Sequence, residues 1–197
     1  MTEQLSEIQV SSTELFQGQL LRACRDEVRL PNGAVVMREY VVHPGAVMVI
    51  PLLEDAQGQI ELVLERQFRY PMGRVMIEFP AGKLDARESC FDCAVRELRE
   101  ETGYTAAQWA HAGTLNPLIA YSTEFIDIWF ARHLTLGQRQ LDDEEFLEVF
   151  TVVPDTFFAM CQNGEITDGK TLVAALWLQN MQSGLWSLDW KSVYHEC

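Results

Sequence analysis

"GKLDARESCFDCAVRELREETGY", residues 82–104, sets four glutamates (Glu88, Glu97, Glu100, Glu101) and three arginines (Arg87, Arg96, Arg99) around one apolar helical stripe. Between Ser89 and Thr102, the residues Phe91, Ala94, Val95, Leu98 and Thr102 recur at helical spacing, which predicts a helix with that stripe buried. Gly103 follows where a left-handed turn can end the helix. Glu97, Glu100 and Glu101 then share one face of the last turns. At that negative end of the helix dipole each carboxylate costs roughly 0.3–1 kcal/mol, and like charges four residues apart repel further. Arg96, four residues before Glu100, offsets part of this. On an arbitrary helix such a cluster is most simply a solvated acidic face. Here it follows a strand and a glycine-containing turn, where extended backbone presents a carbonyl beside the carboxylates. Paired glutamates, a backbone carbonyl and waters are the oxygens that a hard divalent cation takes.

Working outward, "RQFRYPMGRVMIEFPAG" upstream reads as a basic, aromatic loop leading into a strand, "VMIEF", and on to Pro80-Ala81-Gly82. Before it, "AVMVIPLL" and "IELVLE" read as two strands of a larger sheet, joined by the polar "EDAQGQ". "HPGA" marks a boundary, so the expected division is a small antiparallel β lobe over 1–43 and a main domain over 44–197. Downstream come a strand "FIDIWFARHL", an acidic loop "LDDEE", a strand "FLEVFTVV" and two helices, "PDTFFAMCQNG" and "TDGKTLVAALWLQNMQ". Pro154 suits a first helical turn, and Thr167 or Asp168 an N-cap. Strands and helices interleave, giving an α/β or α+β class.

Composition narrows the partners. A chain of 197 residues with 48% hydrophobic content holds a sizeable core, and a formal net charge of −14 argues against sequence-independent binding to nucleic acid or to an anionic membrane. An anionic ligand would need an added cation. No apolar run reaches the ~20 residues of a membrane span, and "MTEQLSEIQV" does not read as a signal peptide, so the expected location is the cytoplasm. Five scattered cysteines fit reduced thiols. Cys90 and Cys93 form a C-x2-C pair, but no matching second pair follows, and they read as small side chains near a helix start.

Counted from Gly82, the stretch shows five residues, Glu88, seven residues, Arg96-Glu97-Leu98, one residue, Glu100-Glu101, one residue, Gly103 and Tyr104. This resembles the complete signature of the Nudix hydrolases, which cleave nucleoside diphosphates linked to another moiety. The departure is Tyr104, at a position usually aliphatic. The resemblance implies an α/β/α sandwich with a mixed sheet. It also implies Glu97 and Glu101 as leading ligands of Mg2+ or Mn2+, Glu100 assisting, and the Ala81 carbonyl completing the site. Arg96 would hold the carboxylates, Glu88 would orient the loop, and Gly82 and Gly103 would be structural.

The flanks "HPGAV", "RQFRYPMGRVMIEFPAG" and "GEITDGKT" resemble the ADP-ribose pyrophosphatase branch, with the similarity running from about residue 38 to 180. That implies hydrolysis of ADP-ribose to AMP and ribose 5-phosphate. Arg69 and Arg66 are then candidate substrate contacts, because a guanidinium fork matches phosphate oxygens, and Glu78 lies at the site's edge. A general base is expected from the acidic loop, Glu145 first and Glu144 second. The N-terminal lobe would serve homodimerisation. Phe16 and Tyr40 are available there to stack adenine, although a core role suits either. Alternatives are another nucleoside diphosphate sugar such as GDP-mannose, or a non-catalytic ADP-ribose sensor; sensors usually lose the carboxylates that this chain keeps.

Overall fold

The structure, a computed structural model, describes residues 5–141 and 146–193. It divides into two compact units, one of residues Met1–Gly45 with Asn116–Phe125 and one of Ala46–Leu115 with Ile126–Cys197. No helix among the described residues is long and apolar enough to cross a membrane.

The first unit is built on an antiparallel sheet of β1 (Ile8–Gln17), β2 (Arg22–Arg29) and β3 (Val35–Val42), in that order. β2 alternates, burying Cys24, Asp26 and Val28. The buried Asp26 carboxylate accepts from Gln9 Nε2 at 2.9 Å and from the Tyr40 hydroxyl at 3.0 Å. β1 is exposed along its whole length, and Phe16 retains 56% of its surface, so the core role suggested by its sequence setting does not hold. Asn116–Phe125, assigned by sequence to the main domain, clusters with this unit instead. The Val41 N–H donates to Tyr121 O at 2.9 Å, and the Thr123 N–H donates to Val41 O at 3.0 Å.

The second unit is a mixed sheet whose path runs β10 (Leu147–Val152), β5 (Ile60–Arg69), β4 (Ala46–Glu54), β9 (Ile126–Leu136), β8 (Tyr104–Leu115), β11 (Lys191–Ser192). β6 (Arg74–Glu78) pairs with β5, and β7 (Ala81–Lys83) pairs with β4. β4 and β9 run parallel; the other strand pairings are antiparallel. β4 is central: Val47, Met48, Val49 and Ile50 are fully buried, because both faces of the sheet are covered. Met48 and Ile50 join Phe79, Phe130, Phe157 and Leu178 under α2 (Pro154–Gln162) and α3 (Gly169–Gln182). Val47 and Val49 meet Cys93, Ala94 and Leu98 of α1 (Cys90–Thr102) on the opposite face. The result is the expected α/β/α sandwich.

α1 begins at Ser89, whose side chain accepts from the Asp92 N–H, and ends at Gly103, which has φ +78° and donates its N–H to Arg99 O. Its buried stripe is rotated from the expected one. Cys93, Ala94, Leu98 and Thr102 lie inside, with Glu97 and Glu101, whereas Phe91 and Val95 are only partly covered. Cys93 is therefore a core residue, and burial pushes its thiol pKa up, away from redox use. α2 starts with Pro154 in its first turn, and α3 takes Asp168 as its N-cap.

Candidate active site

The turn after β6 is fastened to the central strand. The Val49 N–H donates to Pro80 O at 2.9 Å, and Met48 and Val47 pair with Ala81 and Gly82. This lays the Ala81-Gly82 backbone along the C-terminal half of α1. Glu101 Oε2 accepts from the Ala81 N–H at 2.9 Å. A Cβ built on Gly82 would lie 1.7 Å from Glu97 Oε1, so any side chain there would have to displace the Glu97 carboxylate. Glu97 and Glu101, 7% and 3% exposed, are thus buried carboxylates held against one short stretch of backbone.

Arg96 gathers the acidic side chains around it. Its Nε and Nη2 donate to the two oxygens of Glu88 at 2.8 and 2.9 Å, and its Nη1 to Glu97 Oε1 at 2.8 Å and Glu100 Oε2 at 3.1 Å. Nη2 also reaches Lys83 O at 3.1 Å. The hydrogen bonds to Glu88 chiefly, with Glu97 and Glu100, hold the guanidinium pKa above its ordinary value. In return Arg96 lowers Glu88 from 4.5 to about 2. Glu88 also accepts from the Asp85 N–H at 3.0 Å, which fixes the loop before α1. Passing backbone meets carbonyls at the end of α1 and at its cap: Gln140 N–H donates to Glu100 O at 3.2 Å and Gly137 N–H to Gly103 O at 2.8 Å.

A second charged group lies on β5 and β6. Arg69 Nε and Nη2 form a fork on Glu78 at 2.7 and 3.0 Å. Burial opposes the Arg69 charge, but the Glu78 hydrogen bonds and the nearby Glu65 and Glu101 leave its pKa raised. Burial likewise opposes the Glu78 charge, and the bonds from Arg69 and Lys170 outweigh it, so its pKa is lowered. Lys170 Nζ bonds both Glu78 Oε2 and Asp168 Oδ2. Arg66 has other partners: its guanidinium stacks 3.8 Å over the Phe150 ring and pairs with Glu148 at 3.3 Å.

The candidates Glu97, Glu100, Glu101, Arg96, Glu88, Ala81 and Gly82 thus come together in one network, and Arg69 and Glu78 form a second group whose arginine feels Glu101. Glu144 and Glu145 lie outside the described residues. Sequence reasoning passed over Lys170 and the fully buried Glu65, which stands opposite Glu78 in the β5–β6 register. The available signal for Lys170 was its isolation as the one charge in an apolar helix.

Among the described residues, no group of three or more His, Cys, Asp or Glu side chains is closed around a cation position. The donor chemistry nevertheless fits a hard divalent ion. Glu97 and Glu101 offer carboxylate oxygen, Glu97 approaching the backbone where Gly82 has no side chain and Glu101 beside the Ala81 N–H.

Residues 42–174 match the NUDIX domain profile. The chain is 33% identical over 177 residues to an ADP-ribose pyrophosphatase of Bacillus subtilis (strain 168), spanning 89% of this chain and 94% of that protein. It is also 33% identical over 174 residues to a methanol dehydrogenase activator of Bacillus methanolicus, spanning 86% and 91%. A solved structure described as an ADP compounds hydrolase superposes with a TM-score of 0.80 over 91% of this chain and 96% of that one, at 20% identity, which is a likeness of fold. With residues 42–174 matched by the profile and 89% of the chain aligned to a relative at 33% identity, this protein belongs to the NUDIX family.

Proposed function

We propose that the protein hydrolyses the diphosphate linkage of ADP-ribose, releasing AMP and ribose 5-phosphate, with Mg2+ or Mn2+. The observation that carries this reading is the approach of Glu97 to Gly82 together with the Glu101–Ala81 bond, which sets two buried carboxylates beside a backbone turn. The similarity to the Bacillus subtilis pyrophosphatase supports the substrate.

Glu97, Glu101, Glu100 and the Ala81 carbonyl would hold the cation, which supplies Lewis-acid stabilisation of charge on the diphosphate oxygens. Arg96 binds Glu97 and Glu100 at once and so limits the repulsion among the carboxylates. Arg69, with one edge of its guanidinium fixed on Glu78, is the phosphate contact in this reading. Arg66, stacked on Phe150, is a more peripheral substrate contact. Glu145, with Glu144 as second choice, would take the proton of the attacking water. The described residues flanking their loop are Gln140, which donates to Glu100, and Leu147, which pairs with Gln67.

We place the enzyme in the cytoplasm, in keeping with free thiols at Cys24, Cys90, Cys93 and Cys161. We also propose a homodimer through the N-terminal lobe; exposed Ile8, Val10, Phe16 and Met37 on its sheet support that. Product analysis with Mg2+ on ADP-ribose, GDP-mannose, ADP-glucose, NADH and 8-oxo-dGTP tests the substrate. AMP and ribose 5-phosphate should form fastest from ADP-ribose. Preference for another compound would overturn the substrate, and cleavage of none would favour the sensor reading.

A further inference from the structure

α3 has one charged residue in fourteen, Lys170, and its side chain is only 12% exposed. A buried ammonium gives up hydration, so its partners are informative. It touches two carboxylates, Glu78 and, at 3.0 Å, Asp168. Asp168 already caps α3: its Oδ2 accepts from the Thr171 N–H at 3.0 Å and the Thr171 hydroxyl at 2.7 Å, at the positive end of the helix. The other partner, Glu78, is 4% exposed and has no helix end to stabilise it, so its charge is balanced by side chains alone. Glu78 Oε2 accepts from both Lys170 and Arg69, and Oε1 from Arg69. The start of α3 and the residue before its cap are fixed to the sheet side at two further points. Arg74 Nη2 donates to Thr167 Oγ1 at 2.7 Å, and the Phe79 N–H donates to Thr171 Oγ1 at 3.3 Å.

These contacts bear on how Arg69 can serve an anion. Held by Glu78 alone, Arg69 would be one half of a neutral pair, with Glu65 and Glu101 adding negative potential nearby. A second cation on Glu78 balances that carboxylate from the α3 side and clamps its orientation. The Arg69 side chain, still 39% exposed, keeps its remaining edge for a phosphate oxygen.

We infer that Lys170 is a positioning residue for substrate binding: acting through Glu78, it orients Arg69 and preserves its positive charge for the diphosphate. The inference rests on the reading of Arg69 as the phosphate contact, and the test separates the two. Steady-state kinetics on ADP-ribose are compared for wild type, Lys170→Met, Lys170→Arg, Glu78→Gln, the Glu78→Gln/Lys170→Met pair and Arg69→Met. Lys170→Met should raise KM about tenfold while kcat stays within about threefold, and Lys170→Arg should recover most of the loss. The pair should bind no worse than Glu78→Gln alone, since the effect of Lys170 on Arg69 is inferred to pass through that carboxylate. The pair also removes both buried charges together, so it serves if Lys170→Met alone does not fold. Raised KM in Arg69→Met with normal KM in Lys170→Met would overturn the inference and leave the role of Arg69 standing. A further KM rise in the pair over Glu78→Gln would overturn it too. Normal KM in Arg69→Met would overturn the reading of Arg69 itself.

Discussion

α1 and α3 are of nearly equal length, thirteen and fourteen residues, and both are N-capped by a side chain, Ser89 or Asp168. Their charges differ: six of the α1 residues are Asp, Glu or Arg, whereas α3 carries Lys170 alone. α1 keeps two carboxylates in buried positions near its own negative end, an arrangement that helix energetics disfavours and that Arg96 and the Ala81 amide partly compensate. α3 packs by apolar contact and contributes one cation. The contrast teaches that strain within an element is tolerated where the site needs it, while the neighbouring element is left free to pack.

The largest effect that could break this contrast is Gly82→Ala. The new methyl would meet Glu97 at 1.7 Å, so kcat/KM should fall at least about 100-fold, since displacing reacting groups by ~1 Å costs that much. Near-normal kinetics would show that Glu97 is free to move without consequence. Arg96→Met comes next. It leaves Glu88, Glu97 and Glu100 without their shared cation and should lower unfolding stability by about 2 kcal/mol in urea titration, the partial exposure of Arg96 reducing the full buried-pair penalty.

Acid sharpens the same point. Glu88 has its folded pKa lowered from 4.5 to about 2, so its contribution to stability is complete above about pH 4.5 and is lost as pH falls toward 2. Urea midpoints from pH 6 to pH 2.5 should decline less steeply in Glu88→Gln than in wild type, and parallel curves would deny Glu88 that role. At the small end is Gly169→Ala in α3. Nothing lies within 4 Å of the place its new methyl would take, so stability should change by less than about 0.5 kcal/mol and activity hardly at all.

Much of this was legible in the sequence, for physical reasons. α1 announced itself through its period, and Gly103 supplied the residue that a left-handed cap requires. β4 and β9 were visible as apolar runs, and Pro154 marked the start of α2. β8 was missed. "YTAAQWAHAGTL" is rich in alanine and has weak strand character; pairing with β9 along almost its whole length and packing of Ala106 and Trp109 against α1 make it a strand. The three-residue β7 was equally silent, since its strand state comes from β4. In the site, the gathering of Glu97, Glu100 and Glu101 on one helix face was readable from spacing. The tie between Lys170 and Glu78 was not, because it joins residues 92 positions apart.

Turnover of ADP-ribose by Glu101→Gln, measured beside its melting temperature, asks whether the α1 carboxylates are the centre of the reaction. The amide oxygen of the new side chain can still accept from the Ala81 N–H, while the buried negative charge is gone. The kcat should fall at least about 100-fold, with a melting temperature equal to or above wild type, because the charge serves catalysis rather than folding. Wild-type turnover in that variant would contradict the assignment of the α1 carboxylates as the centre of the reaction.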